Sequence, residues 1–154
     1  MALVEDARRF IPQLKERADE IEMARKLPQD IADQFAEAGF YRMLIPEVYG
    51  GLETSPVVMM DVIETLATGD ASAAWCVFIG ATSGLSVAYL PERSAREICS
   101  SSEHVIIGGV FAPRGQAVRE GDGYRVNGEW QWGSGTQNAD GVMGGCVVVE
   151  DGKP

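Results

Sequence analysis

Basic residues are scarce: 13 Lys and Arg stand against 23 Asp and Glu in 154 residues, for a formal charge of −10. Holding duplex phosphates needs a clustered cationic surface, so this balance excludes nucleic acid and an anionic membrane as expected partners. A single histidine, His104, removes most metal sites and the Ser-His-Asp relay. At the start of a strand pattern it reads as an edge or surface residue. Cysteine is sparse too: Cys76, Cys99 and Cys146 are far apart and form no C-x-x-C, so neither a disulfide framework nor a zinc site is indicated. A reducing cytoplasm is the expected compartment. The first residues lack the basic start and apolar run of an export signal. There is no P-loop and no G-x-S-x-G elbow. Gly133-Ser-Gly-Thr-Gln-Asn138 lacks the third glycine of a dinucleotide turn, and no amphipathic helix follows it.

What is present is ordinary globular material, 45% hydrophobic and 23% charged. One stretch, Ala71 to Pro91, carries no charge and sets Gly80 and Gly84 at G-x-x-x-G spacing. Its richness in Ala, Gly, Ser and Thr and its acidic flank at Asp70 predict a buried helix with close neighbours, not a membrane span.

Glycine divides the chain. Four of the 18 precede residue 80, predicting helices first and strands with tight turns afterwards. Leu3, Ala7, Phe10, Ile11, Leu14, Ala18 and Ile21 form one helical stripe, with a kink expected at Pro12. Pro28 opens a second helix that Gly39 stops, and Ser55-Pro56 caps a third. The uncharged helix follows, and Pro91 starts a short one ending near Ser100. From His104 the period becomes that of strands: Val105 to Phe111, a hairpin turn at Glu120 to Gly123, a strand from Tyr124 to Asn127, and a last strand from Val142 to Val149. The fold class is α+β: residues 1–102 form an all-α domain and 103–154 part of a mainly antiparallel β domain. Open sheet edges, and the stop at Asp151 to Pro154, predict the N-terminal part of something longer.

The chemistry concentrates in Trp130-Gln-Trp132-Gly-Ser134-Gly135. Alternation would put both indoles on one strand face, beside a hydroxyl flanked by glycines that allow close backbone approach. A flat, electron-poor ring suits that place, with Trp132 over its face and Ser134 at its edge. Core packing by both tryptophans is the competing reading.

The ordered set Leu-Pro28, Glu37-Ala-Gly-Phe-Tyr41, Leu44-Ile-Pro-Glu-Val-Tyr-Gly-Gly51, Ala67-Thr-Gly-Asp-Ala-Ser-Ala-Ala-Trp75 and Asn127-Gly-Glu-Trp-Gln-Trp-Gly-Ser-Gly135 resembles the N-terminal part of the acyl-CoA dehydrogenase superfamily. The resemblance implies a flavoprotein, usually a homotetramer, whose C-terminal helical bundle lies beyond this chain. It implies that Trp132 packs near the flavin ring, that Ser134 contacts its N5 edge, and that Val110, Phe111 and Ala112 approach its pyrimidine side. The family's Thr-Glu-Pro is Phe111-Ala-Pro113 here, which leaves backbone contacts only. The first expectation is FAD-dependent α,β-dehydrogenation of an acyl-CoA thioester, with the catalytic base beyond Pro154. The alternative is a two-component monooxygenase that takes reduced FMN or FADH2 from a partner reductase and hydroxylates aromatic or polyketide-like substrates. The Ala112-Pro-Arg-Gly115 pattern leans toward that branch, whereas the absence of a histidine from Thr82 to Ser86 leans away. A non-catalytic helical interaction module is the third reading.

Overall fold

A computed structural model describes residues 2–149, so Asp151 to Pro154 lie outside the described residues. Six α-helices come first: α1 (Ala2–Glu16), α2 (Ala18–Ala24), α3 (Gln29–Glu37), α4 (Pro56–Ala67), α5 (Ala71–Gly84) and α6 (Glu92–Cys99). Three strands follow, β1 (Ile107–Glu120), β2 (Gly123–Asn127) and β3 (Gly141–Val149). The expected α+β order is therefore present.

The apolar stripe of α1 buries Ala7 and Leu14 completely. Pro12 does not kink this helix, which runs on to Glu16 and breaks at Arg17 instead. The proline is exposed, and on a solvent-facing side water replaces the amide it cannot supply. Arg17 then fastens α2 to α3. Its guanidinium donates to Glu20 at 2.7 Å and to Asp30 at 3.0 Å, which holds both carboxyls below their usual range.

Phe10, Phe35 and Phe40 form the centre of the helical core. Phe10 meets Phe35 edge-on at 5.0 Å between centroids and Phe40 at 5.7 Å. The predicted Ser55 cap forms, its Oγ accepting from the Val58 amide at 3.3 Å, and Asp70, read from the sequence only as an acidic flank, caps α5 by accepting from the Ala73 amide at 2.7 Å.

On α5 the glycine spacing has a structural purpose. A Cβ on Gly80 would lie 2.4 Å from the Tyr41 ring, and one on Gly84 would lie 2.9 Å from the Ile45 side chain. The groove that imitates a membrane motif is filled by the segment after α3. The helix ends at Gly84 and tightens into a 3-10 turn at Leu85–Tyr89, short of the Pro91 limit read from the sequence.

The sheet has the order β2-β1-β3 and is mixed. β1 and β2 form the predicted antiparallel hairpin, closed at Glu120 and Gly123. β3 pairs with β1 in parallel, from Ile107 opposite Gly141 to Val118 opposite Val149. A parallel partner needs a crossover of a dozen or so residues, and the segment between β2 and β3 supplies it. The ladder shifts register between Val110 and Gly115, where Pro113 sits, a place that needs no amide donor. Asp140 clips this crossover to the sheet: its carboxylate accepts from the Ile106 amide at 2.8 Å, and its own amide donates to the Ile106 carbonyl at 2.8 Å. The residues just before it are thereby laid over the N-terminal half of α5.

Candidate functional site

The crossover carries the tryptophan motif, and the structure separates its two indoles. The chain leaves β2 at Asn127 and is irregular through residue 135, so strand alternation does not apply there. Trp130 turns inward. Its ring fills a slot made by three glycines: a Cβ on Gly115 would meet it at 2.3 Å, and one on Gly128 or Gly144 at 2.7 Å. Its Nε1–H donates to the Gly145 carbonyl at 2.8 Å. Trp130 is thus a packing residue, as one of the two sequence readings had it.

Trp132 is the opposite case. It is 90% exposed and holds φ +65°, a left-handed conformation that costs an ordinary residue about 1–2 kcal/mol. Strain of this kind collects at functional sites. The expected shared strand face for Trp130 and Trp132 is therefore corrected, while Trp132 remains free to cover a ligand.

Beyond Trp132 the chain folds tightly on itself. The Ser134 amide donates to the Trp132 carbonyl at 2.8 Å, and Thr136 Oγ1 donates to the Gly133 carbonyl at 2.7 Å. This aims the Ser134 hydroxyl at α5, where it accepts from Trp75 Nε1–H at 3.1 Å. With one lone pair so engaged, the hydroxyl proton is left for donation to an acceptor. Asn138 ties the same loop to the α2–α3 turn, donating to the Leu27 carbonyl at 3.2 Å and to Gln29 Oε1 at 2.9 Å.

Trp75, Cys76, Ser134, Gly135, Asn138 and Leu27 line a cavity of about 690 Å3. Burial pushes the Cys76 thiol up, so at neutral pH it is an uncharged wall and not a nucleophile. Val110 opens instead into a neighbouring cavity of about 650 Å3, with Trp130, Thr136 and Met143; Gly133 is common to both. Phe111 and Ala112 are exposed at the register shift, and their carbonyls lie against Gly145 of β3. The structure thus ties Ser134 to Trp132 through the backbone and, of Val110, Phe111 and Ala112, sets only Val110 on the second cavity; Trp132, Phe111 and Ala112 line neither. His104 lines neither cavity.

Sequence reasoning assigned no role to Trp75 or Asn138. The signal for Trp75 was a large, half-exposed aromatic following only small residues at the start of α5, where its ring packs against Phe78 at 5.3 Å between centroids. Its hydrogen bond to Ser134 spans 59 residues, and no local pattern reports such a pairing. Trp75→Phe keeps the ring and removes the donor. It is expected to cost about 0.5–1.5 kcal/mol in urea unfolding. Ser134→Ala should cost a similar amount, and the double variant should cost clearly less than the two losses added together.

The helical layer followed by a strand layer, with the tryptophan and serine at their junction, defines a class. Residues 1–94 match the acyl-CoA dehydrogenase N-terminal domain, and the chain belongs to that family. It is 32% identical to the flavin-dependent monooxygenase oxygenase subunit HsaA of Rhodococcus jostii, over 94% of this chain and 38% of that protein. It is 35% identical to the indole-3-acetate monooxygenase of Pseudomonas putida, over 88% of this chain and 34% of that one. Among solved structures it superimposes on XiaF from Streptomyces sp., in complex with FADH2 and glycerol, with a TM-score of 0.87 and 29% identity, over 99% of this chain and 39% of that chain. The chain thus spans between a third and two fifths of the length of these relatives.

Proposed function

We propose that this chain forms the flavin-facing part of the oxygenase component of a two-component monooxygenase acting on a small aromatic substrate, with reduced flavin supplied by a partner reductase. The observation that carries the reading is the Trp75–Ser134 hydrogen bond two residues along the chain from an exposed Trp132. A planar heterocycle with acceptors along its edge fits there: Trp132 offers a free aromatic face, and Ser134 an uncommitted proton held in one direction. Reduced flavin, when bound, supplies the activation of dioxygen. The protein's own part is to orient the ring, through Trp132 and Ser134, and to close one side with α5.

The dehydrogenase expectation shares this cofactor site, and two facts favour the oxygenase branch. Both relatives compared by sequence are monooxygenases, and one structural neighbour holds FADH2. The test is turnover by the full-length protein with a flavin reductase, NADH and FMN or FAD under labelled dioxygen. Incorporation of label into an aromatic substrate, dependent on the reductase, is the expected result. Oxidation of an acyl-CoA thioester without the reductase would restore the dehydrogenase reading.

A further inference from the structure

We infer that Asn138 is a positioning residue for the Ser134 hydroxyl, held by a chain of side-chain hydrogen bonds that begins at Asp33 on α3 and runs through Gln29. The segment that carries both residues is a compact turn. The Thr136 amide donates to the Gly133 carbonyl at 3.2 Å, the Asn138 amide to the Gly135 carbonyl at 3.1 Å, and the Ala139 amide to the Thr136 carbonyl at 3.3 Å. Bonded in this way, the turn moves as one body. Two of its side chains hydrogen-bond to the helical layer, one near each end: Ser134 to Trp75 of α5, and Asn138 to Leu27 and Gln29. A body fastened at one point can rotate about it, and a second fastening fixes the direction in which the first group faces. Asn138 supplies that second point for Ser134.

The polarity of the chain is set from its far end, and it accounts for a buried orphan. The Asp33 carboxylate can only accept, so it draws the Gln29 amide nitrogen toward itself, Nε2 donating to Oδ1 at 2.8 Å. Gln29 Oε1 is thereby left facing Asn138, whose Nδ2 donates to it at 2.9 Å and to the Leu27 carbonyl at 3.2 Å. Both acceptors demand the nitrogen of Asn138. Its Oδ1 must then point the other way, where it is buried without a donor. A flipped amide would set Oδ1 against two oxygens, so the neighbours themselves decide the assignment. A buried carbonyl without a partner is costly. That cost is the consequence of holding Nδ2 in one direction, which is what a fastening requires.

As a fastening of Ser134 the chain of bonds stands by itself; as a determinant of flavin binding it rests on the oxygenase reading. The experiment follows deuterium exchange of the Trp75 indole N–H by NMR, in full-length protein labelled at its tryptophans and free of flavin, with the resonance assigned through Trp75→Phe. Asn138→Leu is expected to speed this exchange by roughly 2- to 12-fold, the worth of one hydrogen bond. Asp33→Lys should speed it too, because a lysine only donates and turns the Gln29 oxygen away from Asn138. Adding Gln29→Glu to Asp33→Lys should return the exchange to within about two-fold of wild type, since a carboxylate there accepts from the introduced lysine and from Asn138 alike. Gln29 and Asp33 are exposed, so these variants spare the core, and lost packing cannot produce such a rescue. Glu37→Lys makes the same change of charge at another exposed position of α3 and should leave the exchange unchanged. Exchange unmoved by Asn138→Leu or Asp33→Lys, no rescue by Gln29→Glu, or an equal response to Glu37→Lys overturns the inference. Anaerobic binding of reduced FMN to the same proteins is expected to weaken with Asn138→Leu while Ser134 is present, and to stay within about two-fold in a Ser134→Ala background. Exchange that responds as expected while flavin affinity never does would overturn the flavin role of Ser134 and leave the fastening standing.

Discussion

Trp132→Ala is expected to weaken flavin retention in the full-length protein by about 5- to 150-fold, the equivalent of 1–3 kcal/mol for one aromatic stacking surface. Its unfolding midpoint should not fall. The indole is 90% exposed, so its removal takes no partner from the core. The backbone at this residue is the part that costs energy, and Trp132→Gly separates the two contributions. Glycine adopts φ +65° without steric strain, so this variant should unfold at or above the wild-type midpoint while losing the same flavin affinity. Affinity and stability moving in opposite directions is the mark of a residue held in strain for a ligand. The measurement is anaerobic equilibrium binding of reduced FMN and FAD, paired with urea unfolding of each variant. Unchanged affinity would reduce Trp132 to a surface residue and take with it the role proposed for the hydroxyl beside it.

The same pair of tryptophans shows what a sequence can and cannot convey about such a site. Local signals were legible: Ser55 opens its helix and Glu120 to Gly123 closes its hairpin, as the residue types require, while Asp70 was read as an acidic flank and turns out to cap α5. The glycine groove on α5 was legible as a demand for a close neighbour, though not as Tyr41 and Ile45. The motif from Asn127 to Gly135 misled because two-residue alternation holds only while the strand lasts, and β2 ends at Asn127. The glycines at 128, 133 and 135 were the warning, since they mark where the chain departs from regular structure. Contacts of long sequence range were not legible at all. Trp75 reaches Ser134, and Asn138 reaches Leu27, through the parallel seating of β3 on β1, which no turn signal announces.

That seating is the most sensitive point of the β region, and Gly109→Ala is expected to break it. Gly109 holds φ +145° opposite Met143, and a Cβ there would lie 2.1 Å from the Met143 carbonyl oxygen. Backbone atoms on a paired strand have nowhere to retreat. Conformational strain of about 1–3 kcal/mol and overpacking of about 1–3 kcal/mol add, so a loss on the order of 4 kcal/mol is expected. Set against a typical domain stability of roughly 5–15 kcal/mol, that is enough to detach β3. Two controls separate the causes. Gly121→Ala meets only the strain, since that residue has φ +60° with nothing within 4 Å, and should cost about 1–2 kcal/mol. Gly123→Ala, with open space and no positive φ, should be close to neutral. Urea unfolding followed by indole fluorescence would rank the three, because the Trp130 slot is built from Gly115 on β1 and Gly144 on β3 and opens when the strands part. If Gly109→Ala cost no more than Gly121→Ala, the parallel register of β1 and β3 would be wrong. The crossover that carries Trp132 and Ser134 to α5 would then lose its anchor.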